Sequence, residues 1–220
     1  MSDITLRKVG KMFTESAVND KYTFVVGEGE GSTADRDELV EALDLTDADF
    51  SISAYERHAY IPAVRNGTSG NQPTATGVDT LAGLQFANGS TKYAYATWEV
   101  PSDWNGSDVT FQVCWFPDSG SLNGTTDTVI WDVDYRSIAN GEATNNGTIE
   151  SLQVTESSAI TQYVTSKSQF TLDADGANQP LSIGDHVHLR VSRNNADAFS
   201  GTVVNTHFTV VYTSVGLPTN

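Results

Sequence analysis

The sequence is poor in cysteine and lysine and contains no long apolar run. Cys114 is the single cysteine among 220 residues, which excludes an intramolecular disulfide framework and leaves the fold to its core or to assembly. No window approaches the roughly 18 consecutive apolar residues of a transmembrane helix. The first eight residues, MSDITLRK, lack the apolar core of a signal peptide. We therefore expect a soluble protein with nothing that directs it to secretion.

Positive charge is also scarce. The chain has 12 basic residues, five of them lysine, against 28 acidic residues, and its formal net charge is −16. Nucleic acids and anionic membranes are negative as well, so this balance argues against either of them as a general partner. Excess acid with little lysine is consistent with a protein that faces salty water.

The most regular part of the sequence is residues 91–136, which contain three strand-like runs separated by Asn-Gly turns. Apolar and polar residues alternate in each run, which is typical of strands that bury one face. The predicted buried faces carry three of the four tryptophans, Trp98, Trp115 and Trp131. Trp104 lies between two runs, and we expect it to be exposed in a turn or at an interface.

The rest of the chain contains further short strand-like runs. They are predicted at residues 22–26, 57–64 (as a strand up to Pro62), 81–86, 148–154, 163–172, 185–193 and 202–214. One short helix is predicted over residues 34–43, and a loop over 66–76. About ten strands with Gly and Asn turns predict an all-β fold, a sandwich or barrel, with an antiparallel jelly-roll sandwich preferred. We assign residues 1–89 to an N-terminal arm, the helix and accessory strands, and residues 90–220 to the jelly roll, with both parts in one compact domain.

The first 21 residues differ from the rest of the chain in charge. They carry a net charge of +1, and Arg7, Lys8 and Lys11 lie close together in them. Two interpretations remain open: a contact arm that reaches an acidic neighbour, or a solvated first strand. We expect a contact arm to bind acidic surfaces in a salt-sensitive way.

Asp132 and Asp134 are the first candidates for chemistry, because they project from the same face of one strand. Such carboxylates could form an acid and base pair or clamp a metal. The run IWDVDY is similar to the alternating carboxylates of jelly-roll glycoside hydrolases, but Arg136 takes the next position on that face, where those enzymes carry a glutamate. The arginine favours a salt-bridged sheet surface over catalysis.

His186 and His188 form a second pair on one strand face, with His207 on the following strand. A His-x-His pair can ligate zinc, but the sequence singles out no third ligand. A polar sheet face is therefore the preferred interpretation. We predict no enzyme activity, no cofactor and no catalytic or metal site, and retain the aspartates and histidines only as weak metal candidates.

Five Asn-Gly pairs also form glycosylation-type sequons. They begin at Asn66, Asn88, Asn105, Asn123 and Asn146. Asn-Gly is the preferred pair for tight turns, because both residues accept a positive φ. We therefore predict turns at these positions, which need no glycan to explain them.

Three stretches resemble a β-rich module of virion structural proteins from tailed phages and related viruses. They are ATWEVPSDWNGSDVTF (residues 96–111), TVIWDVDYRS (128–137) and GDHVHLRVSRNNADAF (184–199). The likeness covers roughly residues 90–213 and involves core and turn positions, so it transfers no active site. It implies a capsid-associated decoration or minor capsid protein, located in the virion and assembled in the host cytoplasm. Its expected partners are further copies of itself, as a trimer, and the major capsid protein.

An alternative function is a tail-fibre or adsorption module that binds surface glycans. Tyr93, Tyr95 and an exposed Trp104 could stack on sugars. A jelly-roll enzyme that cleaves glycans is the third possibility. Copy number per virion separates the first two functions, because a capsid protein occurs in hundreds of copies and a tail protein in a handful.

Overall fold

The computed structural model describes residues 55–65, 71–89, 92–145 and 147–215. These residues contain eleven β-strands and no helix, and none of their elements is a helix long and apolar enough to cross a membrane. The strands are β1 (Tyr55–Ile61), β2 (Val64–Arg65), β3 (Thr74–Val78), β4 (Leu81–Phe86), β5 (Tyr93–Glu99), β6 (Val109–Pro117), β7 (Val129–Ile138), β8 (Glu150–Glu156), β9 (Ser166–Leu172), β10 (His186–Arg193) and β11 (Val203–Ser214). The helix predicted over residues 34–43 lies outside the described residues.

The strands form two antiparallel sheets, which confirms the predicted β-sandwich of jelly-roll type. Sheet A has the order β3-β4-β11-β6-β9, and β1 also pairs with β11. Sheet B has the order β2-β5-β10-β7-β8. β11 organises sheet A, because one of its edges pairs with β4 near Val203 and with β1 from Phe208 onward, while β6 pairs along the other edge.

The core lies between the two sheets and is rich in aromatic side chains. Trp115 from β6 and Trp131 from β7 are fully buried, and their ring centroids are 6.1 Å apart across the two sheets. Phe86 packs edge-on against Trp131 with a centroid distance of 5.3 Å. Trp98 is buried as well, so the three tryptophans predicted for the core are confirmed there. Aromatic pairs of this kind contribute about 0.5–1.5 kcal/mol each beyond their buried area.

Trp104 is also buried, so the prediction that it is exposed is wrong. Only 6% of its surface is accessible. The turn that carries it folds back onto the sheet, where Trp104 forms an isolated bridge with Ser214. Its indole Nε1 donates to the carbonyl oxygen of Ser107 at 2.9 Å, so burial leaves no unpaired donor.

The sandwich begins earlier in the chain than residue 90. The chain divides into two units, Met1–Ser53 and Ala54–Asn220, and all eleven strands lie in the second. Part of the predicted loop over 66–76 is in fact the start of β3. This strand has a single neighbour, β4, and its threonines and alanine show no buried alternation, so the sequence pattern gave no strand signal.

Four of the glycines in the Asn-Gly pairs lie in the described ranges, and each has the positive φ that such tight turns require. The φ angles are 74° at Gly89, 84° at Gly106, 71° at Gly124 and 69° at Gly147. This is the left-handed conformation that glycine adopts without steric cost. Asn123 strengthens one turn, because its Oδ1 accepts from the backbone N–H groups of Thr125, Thr126 and Asp127.

Candidate functional site

The outer face of sheet B carries two adjacent rows of polar and aromatic side chains. They arise because alternate residues of β5, β10, β7 and β8 point away from the core, and the strand register places them side by side. The first row is Tyr93, Ser192, Asp132 and Gln153, and the second is Tyr95, Arg190, Asp134 and Ser151.

A cleft of about 360 Å³ lies over the first row. Its lining includes Tyr93, Asp132, Asp134, Ser151, Leu152, Gln153, Ser192, Arg193, Asn194 and Asn195. This volume is at the small end of the range of about 300–1,000 Å³ that ligand pockets usually have. The cleft therefore has room for a small ligand or for one unit of a longer one.

Asp132 is held in the cleft wall by two neutral amides. Gln153 Nε2 donates to its Oδ1 at 2.8 Å, and Asn194 Nδ2 donates to its Oδ2 at 2.7 Å. A carboxylate has about four lone-pair positions, so each oxygen can accept a further hydrogen bond. Asp132 is therefore fixed in place and still able to accept from a ligand.

Asp134 is occupied by a cation instead. The Nε and Nη2 atoms of Arg190 donate to its Oδ2 at 3.0 and 2.5 Å, and Ser151 Oγ donates to its Oδ1 at 2.6 Å. The same pairing raises the pKa of the Arg190 guanidinium. Arg190 also lies 4.7 Å from the centroid of the Tyr93 ring, so Asp134 and Tyr93 share one cation.

The expected salt-bridge partner of the aspartates was Arg136, and the structure corrects this. Arg136 Nη1 donates to the carbonyl oxygen of Gly147 at 2.9 Å. Arg190 takes the role because β10 lies between β5 and β7, and its residue 190 is directly opposite Asp134. Strand order decided the pairing, and the sequence pattern does not reveal strand order.

Ser192 forms the base of the cleft between Tyr93 and Asp132. As a residue it is only 8% exposed, but it lines the cleft, and the buried side-chain atoms without a partner in the described ranges belong to Gln112, Trp131 and Asn205 instead. Ser192 therefore offers the cleft a small hydroxyl group, which can both donate and accept a hydrogen bond.

The wall that carries Asn194 is anchored by a buried ion pair that the sequence analysis missed. Arg193 is on the inner face of β10, where it pairs with Asp197 and donates to the carbonyl oxygens of Phe86, Phe199 and Gly201. These contacts fix the loop after β10. The sequence does contain a sign of this ion pair. Arg193 is at a position that the strand alternation places on the buried face, and an aspartate follows four residues later.

The two histidines lie farther along the same face and do not form a metal cluster. His186 and His188 are exposed, with ring centroids 6.5 Å apart, and Thr97 Oγ1 is 3.2 Å from His188 Nδ1. His207 is in β11 of the other sheet and cannot join them. No group of three or more His, Cys, Asp or Glu side chains in the described ranges is arranged to hold a metal ion.

The remaining predicted site residues fall into two groups. Arg7, Lys8 and Lys11 lie outside the described residues. Trp104 is in the core and offers no ring to a ligand, whereas Tyr93 lines the cleft and Tyr95 is half-buried beside it.

Comparisons with known proteins return structures that share the sandwich at low similarity. No protein-family model and no curated protein matches the sequence. A xylan-binding module, CBM15, is 8% identical with a TM-score of 0.38 over 74% of this chain and 100% of that one. The isomalto-dextranase of Arthrobacter globiformis T6 complexed with panose is 14% identical with a TM-score of 0.39, over 71% of this chain and 23% of that one. The CBM27-1 module of Caldicellulosiruptor saccharolyticus in complex with mannohexaose is 9% identical with a TM-score of 0.35, over 70% of this chain and 96% of that one.

Proposed function

We propose that the protein is a non-catalytic carbohydrate-binding module that holds a saccharide in the cleft on sheet B. The observation that carries the proposal is the row of side chains in the cleft, where Ser192 lies in register between the Tyr93 ring and Asp132, a carboxylate that can still accept. A sugar has hydroxyl groups that both donate and accept, and C–H faces that pack on aromatic rings. These are the properties that Ser192, Asp132 and Tyr93 complement.

The polar groups of the cleft are held in place before a ligand arrives. Gln153 and Asn194 fix Asp132, and Asn194 itself is tied to the sheet, because its backbone N–H donates to the carbonyl oxygen of Ile130 at 2.8 Å. A site with ordered side chains loses less conformational entropy on binding. This supports recognition of a hydroxylated ligand over adventitious solvation.

The arrangement of the two aspartates supports binding without cleavage. Glycoside hydrolysis requires one carboxyl group that is kept protonated and a second that acts as base or nucleophile. Asp134 is committed to Arg190 and Ser151, and Asp132 to two amides, in a polar setting unlike the apolar pocket of a catalytic acid.

The cleft favours the adsorption-module alternative over capsid decoration. A capsid lattice has no need of a cleft lined by an aromatic ring and by polar side chains held in place, whereas a module that attaches a particle to surface glycans requires such a site. The virion location, the trimer and the contact with capsid protein remain predictions from the sequence resemblance.

Binding to a panel of immobilised oligosaccharides tests this proposal. We expect the wild-type protein to bind at least one class, and Tyr93→Ala and Ser192→Val to weaken binding by about tenfold or more, which corresponds to about 1.4 kcal/mol. Tyr60→Ala is the matched control, because Tyr60 is 74% exposed on β1 of sheet A. Absence of binding to the whole panel, or an equal loss in the Tyr60 variant, contradicts the proposal.

A further inference from the structure

The charge of the cleft is not balanced. Of its two carboxylates, Asp134 is neutralised by the salt bridge with Arg190, whereas no basic side chain in the described ranges forms a salt bridge with Asp132. The donors that hold Asp132 are amides and carry no charge. The wall of the cleft therefore has a net negative charge, within a chain of net charge −16.

The free acceptor positions of Asp132 are on the side chain next to Ser192. The two residues are directly opposite each other in the register of β7 and β10, and both line the cleft. Each oxygen of Asp132 accepts one amide hydrogen bond and has capacity for another. A ligand over Ser192 therefore meets acceptors that carry negative charge, and it must bring donors to them.

Arg190 does not change this balance for a ligand in the cleft. Its guanidinium bonds Asp134 through Nε and Nη2 and covers the Tyr93 ring, and it is not among the residues that line the cleft. Arg193, the basic residue that does line the cleft, is paired with Asp197. A negatively charged group placed over Ser192 therefore faces Asp132, while both nearby guanidinium groups are already paired with aspartates.

We propose that Asp132 is a specificity-determining residue, which makes the cleft accept neutral and amino sugars and reject uronic acids. This inference rests on the carbohydrate-binding function proposed above. Hydroxyl and ammonium groups donate to Asp132, whereas a sugar carboxylate offers no donor and is repelled by it. Selectivity through a repulsive contact is a common way to discriminate between ligands of the same shape.

The test uses ligand pairs that differ only in charge. A neutral hexose oligosaccharide bound by the protein is compared, by calorimetry, with the form oxidised to the uronate at C6. We expect the wild-type protein to bind the neutral form about tenfold or more tightly than the uronate, and the preference to shrink between about 50 mM and about 500 mM salt, because salt screens the repulsion. In Asp132→Asn the preference falls to about threefold or less.

Glu99→Gln is the matched control. Glu99 is an exposed carboxylate at the far end of β5 on the same sheet, opposite His186, so its substitution removes one charge without touching the cleft. This variant should retain the wild-type preference. Circular dichroism of Asp132→Asn checks that the sheet is intact, and the salt dependence of the wild-type preference provides a second measurement that needs no variant.

Three results overturn the inference. The first is binding of the uronate by the wild-type protein that is as tight as, or tighter than, binding of the neutral form. Attraction of the acid by Arg136 and His188, farther along the face, would produce this result. The second is an unchanged preference in a folded Asp132→Asn protein, and the third is an equal loss of preference in Glu99→Gln. In each case binding of the neutral sugar leaves the carbohydrate-binding function standing, whereas failure of every saccharide to bind removes both proposals.

Discussion

Tyr135 shows how the electrostatic environment of a single core residue can be read from its neighbours. Its side chain projects inward from β7 and is only 2% exposed. Burial, followed by the negative charges of Glu150 and Asp173, raises the pKa of Tyr135 to about 12. Each of these effects disfavours the phenolate in the folded protein.

This shift predicts a specific loss of stability at high pH. In the unfolded chain Tyr135 ionises near pH 10, so its contribution is fully present below about pH 10 and is lost as the pH rises toward about 12. At about pH 11 we expect Tyr135 to lower the free energy of unfolding by about 1 kcal/mol relative to pH 9. Urea unfolding at both pH values measures this difference. The free energy of unfolding of Tyr135→Phe should fall less between about pH 9 and about pH 11 than that of the wild-type protein.

The control is Tyr163→Phe, because Tyr163 is 53% exposed. Its pH dependence should match that of the wild-type protein. If the free energy of unfolding of Tyr135→Phe falls with pH as steeply as that of the wild-type protein, the Tyr135 phenol is solvated in the folded state.

Core residues are predictable from the sequence where they belong to a strand, and much less so where they belong to a turn. Trp98, Trp115 and Trp131 follow the alternation of their strands, so their burial was predictable. Trp104 was not, because its burial depends on a turn that folds back to bridge Ser214, a residue more than a hundred positions away. Arg193 was missed for a similar reason, since one of its partners is the carbonyl oxygen of Phe86, more than a hundred positions away.

At the scale of elements, the packing of the β4 edge against β11 is tight enough to exclude a side chain. A methyl group added to Gly83 meets the carbonyl oxygen of Asn205 and approaches Val204 Cγ1 to 2.6 Å. Gly77 lies on the neighbouring β3, where the nearest atom to an added methyl group is the Leu81 carbonyl oxygen at 3.4 Å. The two glycines therefore form a matched pair in one hairpin.

We predict that Gly83→Ala lowers the free energy of unfolding by about 1–3 kcal/mol, because the methyl group must displace β11. Gly77→Ala should raise the free energy of unfolding, by about 0.5–1 kcal/mol at most, because the substitution restricts the unfolded chain and causes no severe clash in the folded one. Thermal unfolding of both variants measures the difference. A Gly83→Ala protein as stable as the Gly77→Ala protein would show that β4 moves freely against β11.

The strands were predictable from alternation, but their neighbours in the sheets were not. The central strands β5, β6, β7, β10 and β11 were expected close to where they occur. β2 and β3 were missed, because an edge strand with few buried residues lacks the pattern. Register and strand order depend on contacts between distant segments, and these contacts brought Arg190 rather than Arg136 to Asp134.

For the whole molecule, the sandwich presents the candidate site on one of its two outer faces. In the sequence, Asp132 and Asp134 are weak metal candidates, and Tyr93 and Tyr95 are separate candidates for stacking on sugars. The fold brings them together over two rows of one sheet. Ser192 joins them only in three dimensions, because nothing in its local sequence distinguishes it from a surface serine.

An NMR titration of the folded protein with a saccharide from the binding panel tests the central claim most directly. We predict that the largest shifts occur at the backbone amides of Tyr93, Asp132, Gln153, Ser192 and Asn194, which surround the cleft on sheet B. Amides on the outer face of sheet A, in β1, β6, β9 and β11, should not move. A saccharide whose largest shifts lie on sheet A, or no shifts with any saccharide, would contradict a binding site in this cleft.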